Sequence, residues 1–341
     1  MIVAILLLGY AGLLGVVGPM VLRRGTWATR SPRLAITCWQ ILSASILASV
    51  TLAGLALAAP AAPFSTNLAT ILRACLMAIK NGYATPSGVG LTLAGLVLAV
   101  AVVTRSLSCL VAGLIRSARE RTRHVRVLSL VTKSCEHPGT IILDHSTPAA
   151  YCLPGRHRRV VLTSAALSTL DGEQLQAVLS HERAHLSGRH YLVLEVAAAL
   201  NRAFPRVPLF TQANGEIARL VELAADDVAA RSYGRLPVAT AMVAMSGGGA
   251  PRMALAAGGP GALERVHRLI EPARPLRPAT LLSVFALTIA VIAIPAIVSV
   301  TPALNAARMP DCPMSTTASS SALGPTCHSS HAHGVTHLAT S

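Results

Sequence analysis

The stretch Gln176-Ala177-Val178-Leu179-Ser180-His181-Glu182-Arg183-Ala184-His185-Leu186 carries the pattern His-Glu-x-x-His. Residues four apart share one face of a helix, so His181 and His185 can both aim an imidazole nitrogen at one metal ion. Glu182 is rotated by about a third of a turn, near enough to act on a water at that ion. Two neutral imidazoles and an adjoining carboxylate are the groups that a zinc hydrolase requires. With 12 His in 341 residues the pattern also arises by chance, so its surroundings decide how it is read.

Those surroundings predict a helix without help from the motif. Asp171 is placed to cap its start, Gln174 completes a capping box, and Leu170 against Leu175 makes a hydrophobic staple. Gly188 is the expected stop. Leu175, Val178, Leu179, Glu182, His185 and Leu186 fall on one helical stripe, so Glu182 and His185 stand where apolar residues are expected. Buried without partners they would cost several kcal/mol; a metal or a polar network must satisfy them.

The chain as a whole is 52% hydrophobic and only 3% aromatic, with a positive mean hydropathy. It is too apolar for an ordinary soluble domain and long enough for one domain plus membrane spans. Its net charge of +15 has two sources to choose between, nucleic acid or membrane topology. No recognition motif or aromatic interleaving accompanies the charge, so direct nucleic-acid binding is not expected. The seven cysteines contain no Cys-x-x-Cys, which argues against a cysteine zinc site or a redox motif.

Four uncharged or nearly uncharged segments are long enough to span a bilayer. Residues 1–115 form an N-terminal membrane region with three of them, 1–22, 34–57 and 89–115; the first has no basic n-region and reads as an anchor. The linker over 59–87 is punctuated by Pro and Gly, and its centre, Leu68–Ile79, is a candidate interfacial helix. Residues 116–278 form a water-soluble domain holding 13 of the 14 acidic residues and 21 of the 29 Lys and Arg. Residues 279–304 are a fourth span, and 305–341 a Ser/Thr/His-rich tail. Arg23, Arg24, Arg30 and Arg33 between the first two spans, with the basic domain, set one topology by the positive-inside rule. Both termini lie outside a plasma membrane and the domain in the cytoplasm. The lipid bilayer is thus one partner.

Within the domain, Thr140–Asp144, Ala149–Leu153 and Arg159–Thr163 read as short strands separated by turns. Helices follow: the motif helix, a second through Leu200, a breaker at Phe204–Pro208, and a third from about Asn214 to Arg231. A small sheet followed by helices is an α+β pattern. Catalytic zinc takes three protein ligands and keeps an open position. In Glu222-Leu223-Ala224-Ala225-Asp226 the two acids share a helix face. Glu222 can complete the site while Asp226 hydrogen-bonds a ligand imidazole; a solvated helix face is the other reading of the same spacing.

His-Glu-x-x-His followed 37 residues later by Glu-x-Ala-Ala-Asp resembles the integral-membrane gluzincins, the HtpX-like peptidases and the BlaR/MecR sensor-transducer peptidases. Pro148–Gly155 resembles the strand that those families place along the active-site cleft, and three spans before the domain with one after it is similar to the BlaR/MecR layout. The resemblance implies a multi-pass α-helical membrane protein of four spans with a cytoplasmic α+β gluzincin-type metallopeptidase domain. It implies one Zn2+ per chain held by His181, His185 and Glu222. Zinc would acidify water and polarise the scissile carbonyl, Glu182 would be the general base and later proton donor, and Asp226 would orient the ligands. Ala149, Ala150, Tyr151 and Cys152 would pair with an extended protein substrate. Arg231, Tyr233 and His267 are candidates for stabilising the oxyanion, or are surface residues.

Two departures stand out. Relatives carry an acidic residue shortly after the second His, whereas this chain has Ser187-Gly188-Arg189-His190, with His190 either a supporting group or a surface residue. Antibiotic-sensing members add a penicillin-binding domain with Ser-x-x-Lys after the last span. This chain has no Ser-x-x-Lys, so covalent β-lactam sensing by the chain alone is not expected. The resemblance implies cleavage of a cytosolic protein such as a transcriptional repressor, with self-cleavage accompanying activation. Its rivals are an HtpX-like quality-control peptidase and a non-catalytic signalling scaffold. In the tail, Cys312 and Cys327 can form a disulfide, or with His328, His331, His333 and His337 they suit an extracytoplasmic metal; a low-complexity segment without either is the other reading.

Overall fold

A computed structural model describes residues 1–24, 26–58, 86–131, 140–155, 159–246, 261–271 and 275–307. The interfacial helix expected over 68–79 and the His/Cys tail lie outside them. In chain order come α1 (Ile2–Arg23), α2 (Trp27–Arg30), α3 (Pro32–Ala58) and α4 (Pro86–Val131), then β1 (Thr140–Leu143), β2 (Ala150–Leu153) and β3 (Arg159–Thr163). There follow α5 (Ser164–Thr169), α6 (Gly172–Ser187), α7 (His190–Ala203), α8 (Pro208–Tyr233), α9 (Arg235–Ser246), α10 (Ala262–Ile270) and α11 (Pro278–Ala307).

Four of these helices, α1, α3, α4 and α11, are long and apolar enough to cross a membrane. The 22 residues of α1 rise about 33 Å, close to the thickness of a hydrocarbon core. The 46 residues of α4 rise about 69 Å, more than twice that. The apolar segment expected over 89–115 is therefore the first part of a longer rod, and Arg116, Arg119, Arg123 and Arg126 ride on its continuation. Arg105 donates from Nε to the Ala203 carbonyl (2.7 Å), at the end of α7 where helix carbonyls lack partners.

Close approach between α3 and α4 depends on two glycines. A Cβ on Gly54 would fall 2.6 Å from the Gly95 carbonyl oxygen, and one on Gly95 would strike the Gly54 carbonyl in return. Another tie in the bundle arises from Pro295 in α11. Lacking an N–H, Pro295 leaves the Val291 carbonyl without its helical donor. Tyr10 Oη (3.0 Å) and Ser45 Oγ (2.8 Å) donate to that oxygen instead, fastening α11 to α1 and α3.

The three strands form one sheet in the order β1-β3-β2, with β1 parallel and β2 antiparallel to β3. Alternation along β2 sends Ala150 and Cys152 toward α6, with Leu162, Val178 and Leu179, and Tyr151 and Leu153 to the other face, with Ile141 and Val161. From that other face His124 of α4 meets the Tyr151 hydroxyl at 2.9 Å. The domain has clusters of its own between its helices and sheet, but α8 also shares a core with the apolar helices. Trp39, Leu42 and Ile46 of α3 pack with Leu209, Phe210, Ile217, Leu220 and Val221 of α8 in one cluster.

One local expectation is corrected, and another holds for a different reason. The helix expected from about Asn214 starts at Pro208, because proline at a helix's first position gives up an N–H that would be unpaired anyway. Gly188 follows α6, yet its φ is −75° and Arg189 takes the left-handed turn at φ 49°. Glycine is needed at 188 for room: a Cβ there would lie 2.5 Å from His190 Nε2.

Either Ser45→Ala or Tyr10→Phe alone should lower stability by about 0.6 kcal/mol, the average for hydrogen bonds between membrane helices. The double variant should lose more than the sum, since only then is the Val291 carbonyl left without a donor in an apolar setting. Unfolding in detergent measures the coupling, and simple additivity would contradict the shared acceptor.

Candidate metal centre

The capping box forms at the start of α6: Gln174 N donates to Asp171 Oδ1 (2.8 Å) and Asp171 N to Gln174 Oε1 (3.2 Å). It fixes the helix phase that turns His181, Glu182 and His185 inward. Opposite them α8 presents Glu222 and Asp226, one turn apart. His181 Nε2 and His185 Nε2 lie 3.1 Å apart. Glu222 Oε2 is 3.5 Å from the first and its Oε1 3.6 Å from the second. A tetrahedral ion with bonds of about 2.0–2.1 Å places its ligands about 3.3–3.4 Å apart, so these atoms have the spacing of three corners. Among the described residues, His181, His185 and Glu222 are the group able to hold a metal.

The donor chemistry agrees. Two imidazole nitrogens face each other, and Glu222 Oε2 is buried without a well-directed hydrogen bond, although Arg265 Nη1 stands 3.0 Å away. A cation among the three would satisfy all of them. Each imidazole is also held from behind. Asp226 Oδ1 is 3.0 Å from His181 Nδ1, which leaves Nε2 free to ligate. His190 Nδ1 is 3.1 Å from His185 Nδ1, the same arrangement with a neutral partner. His190 is buried, so the surface alternative for it is excluded, and Gly188 provides its space.

Asp226 has no solvent exposure. Arg265 grips it with two bonds, Nε to Oδ2 (2.7 Å) and Nη2 to Oδ1 (2.6 Å). Burial alone would raise the Asp226 pKa, but Arg265 and His181 hold it far below the usual carboxylate range. Burial likewise opposes ionisation of Glu222, and His181, Arg265 and His185 overcome it. At His181 the pull of burial toward the neutral form is outweighed by Asp226, Glu222 and Glu182, which raise its pKa. Burial and the neighbouring His181 charge depress His185 to about 4.

Glu182 is different. It lies beside a cavity of about 30 Å³ walled by Ala150, Val178, Val238, Ala241 and Met242. Burial in this apolar setting, only partly offset by His181, raises its pKa to about 7, where a carboxylate can both accept and return a proton. Cys152 meets it from β2. Burial and then the Glu182 charge push the Cys152 thiol up to about 12.

The structure thus assembles His181, Glu182, His185, Glu222 and Asp226 as the sequence spacing predicts, and sets Ala150 and Cys152 beside them, with Tyr151 on the reverse face. It does not bring in Arg231, Tyr233 or His267, all of which are exposed. Arg265, absent from the sequence reading, is buried at the centre. It comes 43 residues after Glu222 with no local pattern around it, so only the folded chain identifies it.

Residues 117–273 match the model of Peptidase family M48. The match runs from the distal part of α4 to just beyond α10, a little under half of the chain, and supports a metallopeptidase reading of the site. Peptidases of this family are zinc-dependent, in keeping with the donor set of His181, His185 and Glu222. Neither a curated protein nor a solved structure matches the chain.

Two outcomes follow from this geometry. Arg265→Met would strand the Asp226 carboxylate in the interior, so denaturant unfolding should show a loss of about 3–5 kcal/mol; a loss under 1 kcal/mol would mean that the pair is not buried. With its pKa displaced upward, the Cys152 thiol stays protonated as pH rises through 8.5, where an ordinary cysteine ionises. Peptide mapping after iodoacetamide at pH 8.5 should find Cys152 labelled far more slowly than a free thiol.

Proposed function

We propose that the chain is a membrane-embedded zinc metalloendopeptidase acting as a signal transducer of the BlaR/MecR type, which cuts a cytosolic protein such as a transcriptional repressor. One observation carries the hydrolytic part: the convergence of His181 Nε2, His185 Nε2 and the Glu222 carboxylate next to a buried Glu182 held near neutrality. When bound, zinc would supply a Lewis acid that polarises the scissile carbonyl and makes water more acidic. Glu182 would take the proton of the attacking water and deliver it to the departing amine, while Asp226 and His190 keep the two imidazoles oriented. A non-catalytic scaffold would have no use for a base in that place.

Support for a protein substrate comes from the sheet. Among the described residues β2 pairs with β3 alone, so its outer edge is open to an extended chain, apart from the Cys152 N–H, which the Glu182 carboxylate engages. Ala149 fixes the entry to that edge, donating from N to Thr163 Oγ1 (2.9 Å) and accepting at O from Thr163 N (3.0 Å). Ala150 and Cys152 would then hold the substrate backbone alongside Glu182. A transducing role is supported by the layout of apolar helices around the domain and by α4, which joins an apolar span to the back of β2 through His124 and Tyr151. The HtpX-like reading shares the chemistry and differs in breadth of substrate.

The test combines zinc content with self-cleavage and casein cleavage for wild type, Glu182→Gln and His181→Ala. Wild type and Glu182→Gln should each hold about one zinc, His181→Ala should lose it, and only wild type should cut. Cleavage confined to one repressor favours the transducer, broad cleavage of unfolded membrane proteins favours quality control, and no zinc in wild type rejects the site.

A further inference from the structure

Helix α10 carries Arg265 and Arg268 on one face, three residues apart, and they bind adjacent carboxylates of α8. Arg265 holds Asp226, and Arg268 Nη2 donates to Asp227 Oδ1 at 2.7 Å. Both arginines reach further, in opposite directions. Arg265 Nη1 lies 3.0 Å from Glu222 Oε2. Arg268 Nε donates to the backbone carbonyl of Thr29 in α2 (2.8 Å), the turn between the first two apolar helices. One turn of α10 therefore separates a contact with the α1–α3 turn from a contact with a group of the metal cluster.

That turn packs on α8 through Ala28 and Trp27 but leaves a gap on the side facing α10. A cavity of about 280 Å³ lies between Arg23, Thr26 and Thr29 on one side and Glu216, Arg219 and Glu264 on the other. The ion pair that crosses it, Arg23 with Glu216, is long at 3.4 Å, and the Arg23 side chain is 57% exposed, so solvent screens it. The Arg268 link is shorter and better buried, at 19% exposure. The apolar footing of α10 is small, with Leu269 and Val266 packed among Ala229, Val238, Ala239 and Met242. Arg235 of α9 donates to the Leu269 and Arg268 carbonyls and Arg219 of α8 pairs with Glu264, while Arg265 and Arg268 are what tie α10 to Asp226, Asp227 and the turn.

We propose that Arg268 is a positioning residue that couples the turn at Thr29 to Glu222 and Asp226 through α10. Displacement of the turn would draw α10 out of register with α8. A guanidinium donates in fixed, planar directions, so Arg265 would lose its bonds to both carboxylates together instead of following them. Metal affinity and turnover then become functions of how the first two apolar helices are arranged. This coupling rests on the zinc reading above.

The experiment measures zinc affinity by chelator competition on the full chain in nanodiscs, well below its melting temperature. Wild type is compared with Arg268→Met, Arg268→Lys and a chain with two glycines inserted before Thr26. Groups that support metal ligands influence affinity by about 10–100-fold, and Arg268→Met should fall at the lower end, with kcat reduced and KM little changed. Arg268→Lys, able to serve only one of the two acceptors at a time, should fall less. The insertion should weaken binding as Arg268→Met does and add nothing when the two are combined. Affinity within twofold of wild type in Arg268→Met, even with a lowered melting temperature, would leave a merely structural role and overturn the coupling. Full additivity of insertion and substitution would overturn the part played by the turn. A wild-type chain that takes up no zinc would bring down the zinc reading itself, a failure visible before any variant is compared.

Discussion

Asp226 is an ionised carboxylate with no solvent exposure, and a buried charge of that kind persists only where partners surround it. It has two, His181 from α6 and Arg265 from α10, while its own place is fixed by α8. Three helices far apart in sequence are thereby held at one point. The same pairings give the site its direction. With Nδ1 of His181 occupied by Asp226, only Nε2 remains to face His185 and Glu222. The cost of burying one negative charge is offset by an arrangement in which each neighbour is oriented for a second task.

The apolar surroundings have a parallel logic. Glu182 and Cys152 are raised in pKa by the desolvation that Asp226 escapes through its pairing. Four ionisable side chains within one small volume thus keep distinct proton affinities: Glu222 and Asp226 stay charged, Glu182 sits near neutrality and Cys152 remains a thiol. Such divergence between neighbouring groups is characteristic of functional sites, and here it follows from which carboxylates have a basic partner.

Features set by short-range rules were legible from the residues alone. His181, Glu182 and His185 follow from helical spacing, Glu222 and Asp226 from the same spacing on a second helix, and the start of α6 from its capping box. The strands fell within a residue of their expected bounds because turns separate them. Features requiring contact between distant segments were not legible. Arg265 looks like any of the chain's other arginines until α10 folds against α8. His190 becomes a partner of His185 only because Arg189 adopts a left-handed conformation and Gly188 leaves space for the ring. Pro208 reads as a breaker, although it is equally suited to begin a helix.

The cluster of Trp39, Leu42 and Ile46 with Leu209, Phe210 and Ile217 has a consequence for when the chemistry can first appear. The partners that α8 needs are carried on α3, synthesised well over a hundred residues earlier. A chain whose first helices had not yet found their apolar environment would leave α8 without its bed, and Glu222 and Asp226 would not face α6. Assembly of the site therefore waits on correct insertion of the amino-terminal part. If the site hydrolyses peptide bonds as proposed, the order of folding itself delays that chemistry until the chain is assembled.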